Sequence, residues 1–284
     1  MADRVERVVV EVAAAAPDVR AALPERRGLA GGENPTGDRT LAADAYADEM
    51  LTERVGGLDG VGEVASEERE GVLDVGEGLA VALDPLDGSS NLRSNNLMGT
   101  VVSVYDAPLP AGGDDLLAAG YVLYGPVTTM TVVRDGTVTE YLVTDGKRSV
   151  IDEDVTLPDD PTVYGFGGRR PDWPDDFAAF VETVEADESI KLRYGGAMVG
   201  DVNQVLTYGG IFGYPALTSA PEGKLRTQFE AVPAAAIVEA AGGASTDGEG
   251  SILDGTPSEL HGRTPFHVGN RSLVDRLESE LDRA

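Results

Sequence analysis

The segment Leu83–Asn91, with the sequence LDPLDGSSN, places two carboxylates beside a turn that suits a phosphate group. It follows the apolar run GLAVAL, which predicts a β-strand that delivers Asp84 and Asp87 at its C-terminal end. Gly88 permits a tight turn, and the amides and hydroxyls of the two serines after it can donate hydrogen bonds to phosphate oxygens. The pattern predicts a site where a cation and a phosphate meet. A strand-to-turn loop has a similar composition, and a looser pattern would favour that simpler interpretation.

The residue types available limit the kind of metal that the chain can bind. It contains no cysteine, which excludes disulfides, thiolate metal sites and cysteine nucleophiles. His261 and His267 are the only histidines and stand outside any recognisable constellation, so we expect both to be structural. A hard cation bound by carboxylate oxygens is therefore favoured over zinc or copper.

The charge of the chain is strongly acidic. Its 50 acidic and 22 basic residues give a net charge of -28, which opposes binding to nucleic acids. The acids are scattered, and the only lysines are Lys147, Lys191 and Lys224, a pattern typical of the surface of a halophilic protein. Because the Debye length falls to about 3 Å at molar salt, self-repulsion would be screened there. We expect unfolding or dissociation at low salt.

The hydropathy pattern predicts a protein that lies outside membranes. No apolar run approaches the roughly 20 residues of a transmembrane helix. The N-terminal sequence MADRVERVVVEVAAAAPDVR carries acids in and around its short apolar stretch, unlike a secretory signal peptide. We expect a cytoplasmic location.

The elements that must position these residues begin with two helices. Alanine- and valine-rich periodicity predicts helices over Arg4–Arg27 and Leu41–Val55, separated by the polar loop GGENPTGD. Strand signals follow, and Asp135-Gly136 is the short-range signature of a hairpin turn, while Asp145-Gly146 ends the next strand. The strand-rich ranges are Gly78–Leu83, Thr100–Tyr105 and Leu116–Thr144.

The acidic, proline-bearing stretch Asp152–Pro161 predicts the boundary between two lobes, residues 1–157 and residues 158–284, divided near Pro158. The second lobe alternates between strand and helix signals, so the elements should stack in layers. Its predicted elements are a strand over Val163–Phe166 and helices over Asp175–Ala186, Ala197–Tyr208, Glu230–Ala241 and from Ser272 onward.

The whole string LDPLDGSSN resembles the signature of the class I fructose-1,6-bisphosphatases, within the inositol-monophosphatase-like superfamily. Leu86 and Ser89 favour this branch, because inositol monophosphatases more often have isoleucine and threonine there. Further segments resemble the family in the same order: NPTGD at Asn34–Asp38 with Asp44 after it, Ser66-Glu67-Glu68, and residues 191–215 and 221–243. The resemblance implies an α+β fold, a layered α/β/α/β/α sandwich of the sugar phosphatase type with two intimately packed lobes.

The resemblance also implies a role for each matching residue. Two or more Mg²⁺ ions would be held by Glu67, Asp84, the Leu86 carbonyl, Asp87 and Glu230. Asp44 and Glu68 would orient and deprotonate the attacking water. The substrate would contact Asp87, Gly88, Ser89, Ser90, Arg193, Tyr194, Met198, Phe212, Gly213, Tyr214 and Lys224.

The activity implied is Mg²⁺-dependent hydrolysis of the 1-phosphate of fructose 1,6-bisphosphate, giving fructose 6-phosphate in gluconeogenesis. The family's counterpart of Arg193 reaches into a neighbouring active site, which implies a homo-oligomer, a dimer or tetramer. Alternatives are a related enzyme acting on inositol monophosphate, sedoheptulose bisphosphate or a nucleotide-derived bisphosphate, a catalytically silent sensor on the same fold, and a protein whose acids only solvate it.

Two departures from the family pattern concern regulation and the distal phosphate. The segment before Asn34 is shorter than in AMP-regulated eukaryotic members, and their Lys-Tyr pair is replaced by Gly78-Leu79, so AMP inhibition is not expected. The family's Asn-Glu-Gly-Tyr segment appears as residues 166–169, Phe-Gly-Gly-Arg. We hypothesise that Arg169 replaces the missing polar groups.

Overall fold

The structure, a computed structural model, describes residues 1–33, 35 and 39–281, with the backbone alone for residues 29–33, 39 and 40. The motif Asn34–Asp38 therefore lies outside the described residues, apart from Pro35. In the described part, no helix combines the length and apolar character needed to cross a membrane.

Two sheets and three pairs of helices form five layers. The helices are α1 (Ala2–Ala22), α2 (Ala42–Gly56), α3 (Asp175–Glu185), α4 (Met198–Tyr208), α5 (Val232–Ala240) and α6 (Arg271–Leu281). In chain order, the first ten strands are β1 (Leu29–Glu33), β2 (Arg39–Leu41), β3 (Val61–Ser66), β4 (Leu73–Asp74), β5 (Leu79–Asp87), β6 (Met98–Tyr105), β7 (Leu116–Tyr124), β8 (Thr128–Arg134), β9 (Thr137–Thr144) and β10 (Lys147–Asp152). The others are β11 (Val163–Phe166), β12 (Lys191–Leu192), β13 (Gly210–Tyr214), β14 (Leu225–Arg226), β15 (Ala244–Thr246), β16 (Arg263–Thr264) and β17 (Phe266–Gly269).

The larger sheet has eight strands in the order β10-β9-β8-β7-β6-β5-β3-β4, and the smaller has five in the order β12-β11-β13-β17-β15. Helices α1 and α2 cover the outer face of the large sheet through one hydrophobic cluster. Helices α4 and α5 lie between the sheets in a second cluster, and α3 and α6 cover the small sheet in a third. The α+β, five-layered architecture is confirmed, and the two halves of the chain share the central core.

The hairpin turns follow their local sequence. Asp135 and Gly136 both take positive φ, 50° and 75°, which is the backbone that a two-residue turn of this handedness requires. Asp145 and Gly146 do the same, at 51° and 73°. The second turn does more than end a strand, because it pairs β9 with β10, a strand that the sequence did not indicate.

Two other elements differ from the expectations. The first helix ends at Ala22 rather than near Arg27, and a 3₁₀ turn over Leu23–Glu25 follows. Pro24 in that turn has no backbone N–H with which to continue the helical hydrogen bonding. Strand β3, which the sequence did not indicate either, leads directly into Glu67.

Candidate active site

Strands β3 and β5 bring the first acidic residues together. They run parallel, with Ser66 opposite Leu83, and the backbone N–H of Glu67 donates to the carbonyl of Leu83 at 2.9 Å. Glu67, the first residue after β3, therefore lies beside Asp84 of β5. Parallel neighbours end at the same sheet edge, which explains how acids distant in sequence become neighbours.

A bulge in β5 turns Asp84 and Asp87 toward one another. In a regular strand, side chains three positions apart point to opposite faces. Here Asp84 pairs with Val101 and Asp87 pairs with Gly99, so β5 carries one residue more than β6 across the same interval. An extra residue of this kind re-aims the side chains that follow it.

The bulge centres on Pro85, which has no N–H for the sheet ladder. The hydroxyl of Thr100 donates to the Pro85 carbonyl at 2.9 Å and lies 2.8 Å from the hydroxyl of Tyr124. Buried side chains thus provide the hydrogen bonding that the ladder loses at this point.

The second half of the chain adds the third carboxylate of the cluster. Glu230 lies in a π-helical turn, Thr227–Ala231, directly before α5. One carboxylate oxygen from each of Asp84, Asp87 and Glu230 lies within 4.8 Å of the other two. Asp87 also accepts hydrogen bonds from the N–H groups of Met198, at 3.4 Å, and Val199, at 2.8 Å, at the N-terminus of α4.

The burial of these acids raises their pKa values. Removal from water raises the pKa of Glu67 to about 8, and the nearby Glu230 carboxylate adds to the effect. Burial likewise raises the pKa of Asp87 to about 7, again with a contribution from Glu230. The pKa values of Asp84 and Glu230 are also raised, with burial as the main cause. Like charges in a dry pocket favour protonation unless cations neutralise them.

The carboxylate cluster fits a hard metal ion. All of its side-chain donors are oxygens, the ligands preferred by Mg²⁺. Asp84 Oδ2 is buried and has no hydrogen-bond partner among the described residues. The guanidinium of Arg226 is bonded to Glu67 and supplies positive charge at one end of the cluster. A cation between Asp84, Asp87 and Glu230 would neutralise the rest.

The turn after β5 is shaped by its glycine. Gly88 has φ of 71°, and a Cβ there would lie 2.3 Å from the Cβ of Ala197. The 3₁₀ turn Ser89–Leu92 follows. Glycine is required both by the left-handed backbone and by the close approach of the opposite chain segment.

Asp44 and Glu68 also line the cleft. Asp44 Oδ2 accepts a hydrogen bond from the N–H of Leu41 at 2.7 Å in the first turn of α2. Burial raises the pKa of Asp44 to about 6. Its position close to the metal cluster suits a group that accepts a proton.

The structure brings most of the expected site residues to one cleft of about 330 Å³. Expected residues that line it are Asp44, Glu67, Glu68, Asp84, Leu86, Asp87, Gly88, Ser89, Ser90, Tyr214, Lys224 and Glu230. The Nζ of Lys224 lies 4.4 Å from the centre of the Tyr214 ring. The cleft therefore combines a set of carboxylates with a lysine that packs against a tyrosine.

Five expected residues do not line the cleft. Phe212 and Met198 are buried in the central core, and Met198 approaches the site through its backbone N–H. Gly213 is buried in β13, and Arg193 is exposed on the surface beside the Tyr208 ring. Tyr194 stands at the edge, with its hydroxyl 3.4 Å from that of Tyr214.

Three other residues that the sequence singled out lie away from the cleft. Arg169 is exposed, in the loop after β11, and is not among the residues that line the site. His267 is buried, which lowers its pKa to about 4, and His261 bonds the carbonyl of Arg69 through Nε2. Neither histidine lines the cleft, as expected for structural residues.

Sequence reasoning missed four residues that belong to this region: Asn91, Gly196, Asp201 and Arg226. Arg226 and Gly196 line the cleft, and Asp201 and Asn91 hold the loop that contains Gly196. Arg226 lies between Lys224 and Glu230 in a segment already singled out, and that position was the available signal. Asn91, Gly196 and Asp201 also lie in segments already singled out, but local sequence does not show the side chain-to-backbone hydrogen bonds that bring them together.

The five-layered fold, with its acidic cleft at the end of β5, defines a protein of the sugar phosphatase class, whose members use metal ions. The comparisons are more specific. The family model of the fructose-1,6-bisphosphatase N-terminal domain matches residues 6–148, and that of the C-terminal domain matches residues 157–282. The chain belongs to the fructose-1,6-bisphosphatase family.

Relatives with the same description include proteins of halophilic archaea. The class 1 fructose-1,6-bisphosphatase of Natronomonas pharaonis is 60% identical over 99% of this chain and 100% of its own length. That of Halobacterium salinarum is 56% identical over 99% of this chain and 98% of its own. The crystal structure of Leishmania major fructose-1,6-bisphosphatase in holo form superposes with a TM-score of 0.90 at 28% identity, covering 100% of this chain and 94% of the other.

Proposed function

We propose that this protein hydrolyses the 1-phosphate of fructose 1,6-bisphosphate to give fructose 6-phosphate and inorganic phosphate. The observation that carries the proposal is the convergence of Asp84, Asp87 and Glu230 within 4.8 Å beside the Gly88 turn. The family of the chain and the names of its relatives supply the substrate.

Magnesium is the proposed cofactor, with two or more ions bound by Glu67, Asp84, the Leu86 carbonyl, Asp87 and Glu230. When bound, such ions neutralise charge on the transferring phosphate and on the departing sugar oxygen. The Arg226 guanidinium pairs with Glu67, so it limits the number of uncompensated acids. These ligand roles rest on the oxygen donors, the burial and the unpartnered Asp84 Oδ2.

The chain's own groups have separate tasks around the phosphate. The Gly88 turn and the hydroxyls of Ser89 and Ser90 orient the 1-phosphate by donating hydrogen bonds. Asp44 and Glu68 orient the attacking water and accept its proton. Asp44 suits this task because its raised pKa, about 6, lies close to neutral pH.

The distal part of the substrate would be held at the other side of the cleft. Lys224 is a compact positive charge that suits the 6-phosphate. Tyr194 and Tyr214 share a contact at 3.4 Å there, and Arg193 is proposed to serve a neighbouring copy of the chain. Met198, Phe212 and Gly213 would act by supporting the sugar-facing wall.

The proposed assembly is a homo-oligomer, a dimer or tetramer, in the cytoplasm. Arg193 is surrounded on the surface by Leu192, Tyr194 and Tyr208, whose exposed fractions are 64%, 46% and 43%. Large exposed apolar side chains of this kind are typical of an interface. Light scattering in molar KCl measures the state directly, and a monomer at working concentration would contradict the proposal.

The test of function compares substrates at high salt. Phosphate release from fructose 1,6-bisphosphate, sedoheptulose bisphosphate and inositol monophosphate is measured in molar KCl with and without Mg²⁺. We expect fructose 1,6-bisphosphate to give the highest kcat/KM and Mg²⁺ to be required. A preference for either of the other two substrates would favour the corresponding alternative. If none of the three released phosphate, the assignment of the protein as a phosphatase would be refuted.

A further inference from the structure

The loop Arg193–Ala197 and the turn Gly88–Leu92 meet at the cleft, although they belong to different halves of the chain. The close approach of Gly88 to Ala197 brings the two backbones into contact. One segment carries the proposed contacts for the 1-phosphate, and the other carries Tyr194, a proposed contact for the distal part of the substrate. Their relative position therefore sets the distance between the two ends of the substrate site.

Four side-chain hydrogen bonds hold the Gly195 and Gly196 backbone. The Gly195 carbonyl accepts from Nδ2 of Asn91 at 2.9 Å and from Nδ2 of Asn96 at 2.8 Å. The N–H groups of Gly195 and Gly196 donate to Oδ1 and Oδ2 of Asp201, at 2.6 and 3.0 Å. A two-glycine segment has high conformational freedom, so these contacts are what fixes it.

Asp201 connects this loop to the metal end of the cleft. It lies in the first turn of α4 and is 2% exposed. A carboxylate in that position is stabilised by the N-terminal end of the helix. The same turn donates the N–H groups of Met198 and Val199 to Asp87. One end of α4 thus contacts a proposed metal ligand through its backbone and the glycine loop through a side chain.

Asn91 connects the turn Gly88–Leu92 to the same Gly195–Gly196 backbone. Its Nδ2 donates both to the Gly195 carbonyl and to the Leu97 carbonyl, each at 2.9 Å. The bond to Leu97 closes the loop that follows the turn. A single atom, Nδ2 of Asn91, therefore holds both that loop and the Gly195–Gly196 segment. The exposed side chain of Asn96 donates to the Gly195 carbonyl, and its backbone N–H donates to the Asn91 carbonyl at 3.1 Å.

We propose that Asp201 and Asn91 are positioning residues that set the spacing between the 1-phosphate turn and the groups that bind the distal phosphate of a sugar bisphosphate. This inference rests on the proposed function. Neither side chain contacts the reacting atoms; both act through the backbone of Gly195 and Gly196. Their loss should weaken binding of the distal phosphate and leave the chemical step nearly unchanged.

The main variant is Asp201→Asn, which offers one acceptor oxygen in place of two and directs an amide N–H at a backbone N–H. We expect KM for fructose 1,6-bisphosphate to rise about tenfold, equivalent to about 1.4 kcal/mol, with kcat changed less than about threefold. The dissociation constant of fructose 6-phosphate, by calorimetry, should rise by a similar factor. That of inorganic phosphate should not change.

The matched control is Asp247→Asn. Asp247 also accepts two backbone N–H groups in a turn, from Glu249 at 2.8 Å and Gly250 at 3.1 Å, but it does not line the cleft. Both bonds end on Oδ1, an oxygen that asparagine keeps, so this variant should leave KM unchanged. Asn91→Ala should reproduce the effect of Asp201→Asn, and Asn96→Ala should show a smaller one. Asn91→Ala carries the test alone where Asp201→Asn does not fold.

If KM and the binding of fructose 6-phosphate were unchanged in both Asp201→Asn and Asn91→Ala, the proposal would be overturned. A fall in kcat equal to the change in kcat/KM would also overturn it, because it would assign Asp201 to the metal end through α4. Failure of the wild-type protein to release phosphate would instead refute the proposed function. The fructose 6-phosphate measurement still decides the positioning role in that case, because it requires no turnover.

Discussion

At the scale of single residues, Gly88 gives a sharp test. Gly88→Ala introduces a Cβ at 2.3 Å from that of Ala197 and also carries the cost of a left-handed backbone, about 1–2 kcal/mol. The control Gly136→Ala has the same handedness, φ of 75°, with no atom within 4 Å of the added Cβ. We expect Gly88→Ala to lose clearly more stability in denaturant unfolding, together with phosphate release. Equal losses would contradict the close contact.

Single residues in the cleft were predictable to different degrees. Asp84, Asp87 and Gly88 stand in one short string whose chemistry can be argued from the residue types alone. Glu67 and Glu230 could be assigned only through a family resemblance, because local sequence does not show that β3 and the turn before α5 meet β5. The backbone contacts of Asp201 and Asn91 carry no signature, so the sequence did not indicate them.

The ionisation of the cleft predicts how Mg²⁺ binding depends on pH. The metal-free folded protein holds protons on Glu67 and Asp87, with pKa values of about 8 and about 7, that the unfolded chain releases near pH 4. Its stability should therefore fall as pH rises from about 4 to about 8. The rise in melting temperature on adding Mg²⁺ should grow over the same range. A rise independent of pH would contradict this linkage.

Substitution of a carboxylate in the cluster should remove the response of the protein to Mg²⁺. Asp84→Asn and Asp87→Asn each delete a carboxylate that like charges and burial already disfavour in the metal-free protein. We expect loss of Mg²⁺-dependent phosphate release in both variants, with a metal-free melting temperature equal to or above that of the wild type for Asp84→Asn. Turnover retained in both variants would refute the assigned ligands.

At the scale of elements, hairpins were easier to predict than parallel strands. The Asp-Gly pairs fix their turns locally, whereas β3 contains Gly62 and Glu63 and is recognised as a strand only through its pairing with β5 and β4. The helices of the second half were located to within a few residues: α3, α4 and α6 each have an apolar face, and α5 is apolar on nearly all sides. The π-helical turn before α5 was interpreted as helix, since its sequence does not distinguish the two.

The bulge in β5 predicts an effect of a residue outside the cleft. Thr100→Val removes the hydroxyl that donates to the Pro85 carbonyl and contacts Tyr124, and leaves buried polar atoms unpaired at a cost of about 1–3 kcal/mol. We expect lower Mg²⁺ affinity as well, because the bulge aims Asp84 and Asp87. Tyr124→Phe keeps the bond to Pro85 and should keep the affinity. Equal affinity in both variants would show that Thr100 does not support the bulge.

The five-layered arrangement of the whole molecule followed from the family resemblance rather than from periodicity. The order of eight strands depends on contacts that no local pattern encodes. The net charge does predict one property of the whole molecule, the character of its surface, although it carries no information about the fold. Relatives from halophilic archaea with high identity agree with the interpretation of the acidic composition as a salt-adapted surface.

Salt dependence is the corresponding prediction. With a net charge of -28, the folded protein should gain stability as KCl rises toward molar concentration, because screening over about 3 Å removes long-range repulsion. Melting temperature is measured in dilute buffer and in molar KCl, with saturating Mg²⁺ in both to keep the cleft neutralised. An unchanged value would contradict the interpretation of the surface.

The late position of Glu230 in the chain has a consequence for biosynthesis. A nascent polypeptide that has emerged as far as β13 already contains Asp44, Glu67, Asp84 and Asp87, while the turn Thr227–Ala231 is still inside the ribosome. The proposed metal site is therefore complete only after translation of the segment that carries Glu230, so its full affinity for a cation is expected late in the synthesis of the chain.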